Sequence, residues 1–232
     1  MTLRSVKEKR RRDGWYYLPE TDPLVSVTEV LKMYGGSKVQ ALIRWGGALA
    51  AGNVLADPDT YDTSEKAVAS IFAVRDQAAD RGSTVHSLIE AVLLGNPPEI
   101  IPDHLQGRYQ AFCRWRDAVR PRVIETEATV ANLTHGYAGT TDLICEIGTQ
   151  TMLVDIKTGK RIYPEAAIQL SAYRHAEVLL TKDPVPLRLP MPSVDATAVL
   201  LLDADGYEFK EVHADLKVFL ALKTVWEYDK GV

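Results

Sequence analysis

The sequence predicts an α/β fold in which helices pack on a central β-sheet, and three observations carry that expectation. Helical and strand patterns alternate along the chain in the order helix, three strands, helix, two strands, helix. Two segments, 137–160 and 196–212, read as β-hairpins. The 232 residues are 46% hydrophobic and 25% charged, a composition that fills one substantial core and excludes wholesale disorder. No break in composition divides the chain, so a single domain over residues 1–232 is expected, with residues 1–60 as an N-terminal extension.

The extension carries Lys7, Lys9, Arg10, Arg11 and Arg12 just ahead of Trp15, Tyr16 and Tyr17. A basic run followed by aromatics can contact phosphates and stack on bases; it equally suits a charged tail and the first packed aromatics. From Asp62 and Thr63, a cap-like pair, a helix runs to the breakers Gly95, Asn96, Pro97 and Pro98, with an interruption expected near Gly82. A second helix spans about 103–119. Residues 123–130, "VIETEATV", alternate as a strand does. The first hairpin follows. Pro164 and Glu165 then suit the first turn of a helix continuing through 180. After a proline-rich stretch come the second hairpin and a C-terminal helix bearing Leu216, Phe219, Leu220 and Trp226.

Several function classes drop out. No apolar run approaches the roughly 20 residues of a membrane span, and the N-terminus lacks the apolar stretch of a signal peptide, so a cytoplasmic protein with no membrane partner is expected. Cys113 and Cys145 offer no CxxC spacing, which excludes an iron–sulfur cluster held by this chain's cysteines. The net charge of −4 does not favour a polyanion, so nucleic acid would need a local basic patch or bound cations.

Chemistry concentrates in "YAGTTDLICEIGTQTMLVDIKTGK", residues 137–160. Acid-x-Lys triplets are common, and this chain holds three: Asp155/Lys157, Glu208/Lys210 and Asp215/Lys217. Context separates them. Gly148 and Thr149 suit a two-residue turn with glycine first, which pairs Ile147 with Gln150, Ile144 with Leu153 and Asp142 with Asp155. Opposed carboxylates repel unless one is protonated or a cation lies between them. Lys157, two residues on, points to the same side as Asp155. In the second hairpin a turn at Ala204 and Asp205 sets Glu208 against Leu201 and Lys210 against Val199, supplying no second acid. Asp215/Lys217 falls in the last helix.

Neighbouring segments add residues of the right type. His86 and Glu90 lie one helical turn apart, and His86 suits either a divalent-metal ligand or a hydrogen-bonded structural role. Gln169 and Tyr173 are also four apart. Glu125 and Glu127 share one face of the strand before the hairpin.

Taken in order, "SVTEVL", "GSTVHSLIE", "ETEATV", "GYAGTTDLI", "LVDIKTGK" and "QLSAY" resemble the PD-(D/E)XK nuclease superfamily, and are most similar to its RecB-like branch of phage exonucleases and CRISPR-associated nucleases. The motif core spans 82–173. The resemblance implies a restriction-endonuclease-like core, with helices flanking a mixed sheet, and an N-terminal extension that packs on or guards the site. It implies metal ligation by His86, Asp142, Asp155 and the carbonyl of Ile156, and it matches Glu127 to the acidic position of the preceding strand. Lys157 becomes the residue that orients or activates water and stabilises phosphate charge. Gln169 and Tyr173 match an element that contacts the DNA backbone, and Glu90 is a candidate supporting acid. Cluster-bearing members carry cysteines that this chain lacks.

The expected cofactors are one or two Mg²⁺ or Mn²⁺ ions, with the imidazole ligand favouring Mn²⁺. The expected substrate is DNA, single-stranded or with duplex ends, and a recombination or replication protein is an expected partner in a bacterial or phage-infected cell. The leading function is a DNA exonuclease; a structure-specific endonuclease or flap nuclease and a noncatalytic DNA-binding recombination module are the alternatives.

Overall fold

The computed structural model describes residues 14–18, 21–35, 37–181 and 187–232, so the basic run of residues 7–12 lies outside the described residues. The chain divides into two units, Gly35–Ser87 and a larger one formed by Met1–Tyr34 with Leu88–Val232.

The larger unit is built on one mixed sheet. Its strands are β1 (Trp15–Tyr16), β2 (Leu24–Ser26), β3 (Arg122–Asn132), β4 (Tyr137–Ile147), β5 (Gln150–Lys157), β6 (Val178–Leu180), β7 (Arg188–Pro190), β8 (Ala196–Leu202) and β9 (Tyr207–Glu211). The main path runs β7-β6-β3-β4-β5-β8-β9, and β2 joins both β1 and β4. The β5–β8 and β2–β4 pairs are parallel and the others antiparallel. The helices α1 (Val27–Val30), α4 (Gln106–Val119), α5 (Pro164–Arg174) and α6 (Leu216–Lys230) belong to this unit, as do the last turns of α3 (Ser64–Leu93).

Helices cover both faces. Ile144, Leu153 and Val199, on three adjacent strands, bury themselves with Ile168, Leu170 and Ala172 of α5 and Phe219 and Trp226 of α6. Successive strand residues point to opposite faces, so Leu200 points away from that cluster. Its cross-strand partner is Phe209, and Phe209 lies 5.5 Å from the Trp115 ring of α4. The α/β expectation, a central mixed sheet flanked by helices, therefore holds. No described helix is long and apolar enough to cross a membrane.

Both hairpins fold in the expected register. Gly148 adopts φ +62°, which glycine takes without steric cost at the first position of the turn. The β4–β5 ladder then runs from Ile147↔Gln150 through Ile144↔Leu153 to Leu143↔Val154. In the second hairpin Leu201 faces Glu208 and Val199 faces Lys210. Pro164 occupies the first turn of α5 as expected.

Three expectations are corrected. The helix starting at Pro164 does not continue through 180: α5 ends at Arg174, and Val178–Leu180 form β6. Long-range contacts override the helical pattern there. Asn132 Nδ2 donates to the His175 carbonyl at 2.6 Å, Glu177 N–H donates to the Ala131 carbonyl, and β6 completes its hydrogen bonds on β3. No interruption occurs at Gly82, because α3 is continuous. The element order also gains β1, β2, β6, β7, α1 and α2, with α2 (Ser37–Ala56) falling in the segment expected as an extension.

In the Gly35–Ser87 unit, α2 packs on the first part of α3. Asn53 Nδ2 donates to Ser70 Oγ at 2.8 Å, and Gly46 lies close to the Ile71 side chain. Thr63 caps α3 as its sequence position suggests, its Oγ1 accepting from Lys66 N–H at 3.3 Å.

Candidate metal centre

One edge of β4 is shared by two strands. Its residues 143–147 pair with β5, and its residues 137–138 pair with β2. Residues 139–142 fall between the two ladders, where β5 departs from β4. The candidate site lies at this fork, and Asp142 stands at its apex.

The β4–β5 ladder ends at Leu143↔Val154, one step short of the expected Asp142/Asp155 pair. A side chain completes the link at that point: Ile156 N–H donates to Asp142 Oδ2 at 2.6 Å. Accepting this backbone N–H holds the Asp142 carboxylate in one orientation.

Asp155 lies deep in β5, with its side chain 4% exposed, and it accepts from Lys157 Nζ at 2.7 Å through Oδ1. The Lys157 side chain is 39% exposed, so the pair has one buried and one accessible end. Burial opposes the lysine's charge, but Asp155, Asp142 and Glu165 outweigh it and hold the Lys157 pKa above its ordinary value. Lys157 is therefore an ammonium at neutral pH. It can donate to and attract an anion, and it has no free lone pair with which to take a proton.

Across β4, the β3 register runs Thr126↔Leu143 and Ala128↔Thr141, which sets Glu127 beside Asp142. Glu127 adopts φ +50° in the middle of a strand. A non-glycine residue in this region costs about 1–3 kcal/mol, and such strain concentrates at functional sites. His86, Glu127 and Asp142, each half-buried, offer ligand atoms that all lie within 4.8 Å of one another. Ligands on opposite sides of an ion at about 2.1 Å (Mg²⁺) to about 2.4 Å (Ca²⁺) stand about 4.2 to about 4.8 Å apart, so these donors fit one divalent ion. The donor set of one imidazole and two carboxylates also accepts Mn²⁺. Asp155 and Glu90 are not members of this group, and Glu125 faces Ile144 two ladder steps away.

Gln169 and Tyr173 meet on α5, where Gln169 Nε2 donates to the Tyr173 hydroxyl at 3.1 Å. Tyr173 is 2% exposed. Burial first, then the nearby Tyr16, push its phenol well above the ordinary tyrosine pKa, so it stays neutral. Its ring occupies the space where a Cβ at Gly139 would stand, which places it against the β4 segment leading to Asp142. Tyr16 joins the same segment through its hydroxyl, 3.0 Å from Thr140 Oγ1.

No protein-family model matches the chain, and no curated protein matches it. Among solved structures the chain is similar to SSO0001, at 14% identity and a TM-score of 0.40, covering 90% of this chain and 75% of that one. It is also similar to an alkaline exonuclease from Laribacter hongkongensis, at 16% identity and a TM-score of 0.32, covering 64% of this chain and 82% of that one.

The other acid-x-Lys triplets sit differently. Glu208 and Lys210 are exposed on β9, and Asp215 is the N-cap of α6, accepting from Lys217 N–H at 2.9 Å. Sequence reasoning passed over Glu165, treated only as a first-turn helix residue, although it acts electrostatically on Lys157. It also passed over Gly139, and it named Tyr16 only as one of the aromatics after the basic run. The clue for Glu165 is its position eight residues after Lys157, at the start of the helix that returns over β5.

Proposed function

We propose that this protein is a metal-dependent nuclease that hydrolyses phosphodiester bonds of DNA, acting at strand ends. The observation that carries this reading is the fork itself: two carboxylates and an ammonium on adjacent buried strands, with Glu127 and His86 beside Asp142. Burying charge on central strands is costly and is retained where the charge has a task. The end-directed mode rests on the sequence resemblance.

Asp142, Glu127 and His86 would hold a divalent ion, with Asp155 and the Ile156 carbonyl as the further ligands expected from the sequence. When bound, such an ion supplies a nucleophilic water near neutral pH and neutralises charge on the scissile phosphate. The chain's own residues do the rest. Ile156 N–H fixes the Asp142 carboxylate, Asp155 holds the Lys157 ammonium at the opening, and Lys157 donates to the water or to a phosphate oxygen as negative charge develops. Gln169 and Tyr173 keep the β4 segment in place beneath them.

Digestion of 5′- and 3′-labelled single- and double-stranded DNA with Mg²⁺, Mn²⁺ or EDTA tests this reading. Metal-dependent release of terminal nucleotides is expected, with circular single strands resistant. Lys157→Ala should reduce cleavage by about 10²–10³-fold, the loss typical when one charge-stabilising donor is removed. Absence of cleavage with any metal, alongside retained DNA binding, would instead favour a noncatalytic DNA-binding module.

A further inference from the structure

An acidic chain that holds DNA needs a local basic contact, and the segment leaving the fork supplies one. Lys160 and Arg161 are both exposed in the loop between Lys157 and α5. The Arg161 guanidinium lies 4.6 Å from the centroid of the Tyr163 ring, and Tyr163 is half-buried at the N-cap of α5. A guanidinium resting on a ring is partly ordered before any ligand arrives, so less side-chain entropy is lost on contact. The nearby acid is Glu165, which is half-buried and acts on Lys157.

Distance ties this loop to the site. Arg161 lies four positions after Lys157, which limits their backbone separation to about 14 Å even if fully extended. Phosphates of one strand advance about 3.4 Å along the axis, so Arg161 can reach only phosphates within a few nucleotides of the scissile one.

We propose that Lys160 and Arg161, the latter steadied by Tyr163, form a phosphate clamp on the strand being cut, beside the scissile position. This inference rests on the nuclease reading and adds the residues that hold the substrate strand. Each cation that neutralises a phosphate contributes about 0.7 (single strand) to about 0.9 (duplex) to the dependence of log affinity on log salt.

The test is fluorescence anisotropy with a labelled single-stranded oligonucleotide in EDTA across a sodium chloride series, paired with a cleavage assay in Mn²⁺. The Lys160→Ala/Arg161→Ala double variant should bind about tenfold more weakly at low salt, with a salt slope shallower by about 1–2. Tyr163→Leu should lose part of that affinity, and Tyr163→Phe should restore it. Lys210→Ala, an exposed cation on β9, should behave as wild type. If the wild type binds and cleaves while the double variant keeps its affinity and slope, the clamp is overturned and the nuclease reading stands. If the wild type neither binds nor cleaves, both fall.

Discussion

Gly139 shows how a residue with no side chain can control the site. Any Cβ there would collide with the Tyr173 ring, and that ring is buried and hydrogen-bonded to Gln169, with little room to retreat. Gly139→Ala should therefore cost about 1–3 kcal/mol of stability, as overpacking does, and should shift Asp142, three residues along β4. Denaturant unfolding and single-turnover cleavage check the two effects. Asp215→Ala is the contrasting case. It removes the N-cap of α6 and should cost about 1 kcal/mol while leaving the cleavage rate near wild type, since that aspartate belongs to a triplet outside the fork. At this scale the sequence made Asp142, Asp155 and Lys157 legible, because a short turn converts spacing into register. Glu165 was not legible, because its effect on Lys157 arises only when α5 folds back over β5.

Among the elements, those that follow local rules were readable and those that depend on distant partners were not. The two hairpins, the proline start of α5 and the threonine cap of α3 each rest on a few neighbouring residues. The segment after Arg174 has helix-compatible residues, but β3 offers Val178–Leu180 an open edge, and Asn132 closes the helix by donating its side-chain N–H to the His175 carbonyl. The strands β1 and β2 have two and three residues, too few for any periodic pattern to show. Helix α2 was hidden by Gly46, Gly47 and Gly52, each unfavourable in a helix interior, and Gly46 earns its place where α2 approaches Ile71. The left-handed Glu127 could not be read from residue identity either. It is an acid in a strand pattern until the backbone shows otherwise.

For the whole molecule, buried groups that resist ionisation set the response to alkali. Burial pushes the Cys145 thiol up to about 12 from an ordinary value of 9.0, and burial raises the Tyr137 phenol as well. Between pH about 9 and about 12 the unfolded chain has lost the thiol proton that the folded chain keeps, so stability falls as pH rises. The slope from Cys145 alone is at most about 1.4 kcal/mol per pH unit. Urea midpoints measured from pH 8 to pH 11 should decline, and Cys145→Ala should flatten the decline while lowering the starting stability; a midpoint independent of pH would contradict this. The charge balance belongs to the same scale. With a net charge of −4, the proposed nuclease would owe its DNA affinity to local cations and to a divalent ion at Asp142, which would reverse the sign of the site. The most direct test of that claim compares the wild type with Asp155→Ala on end-labelled DNA in Mn²⁺, with circular dichroism confirming that both are folded. Cleavage that requires metal and falls by about 10³-fold or more in the variant is the predicted result, and near-wild-type, metal-dependent cleavage by folded Asp155→Ala would contradict it.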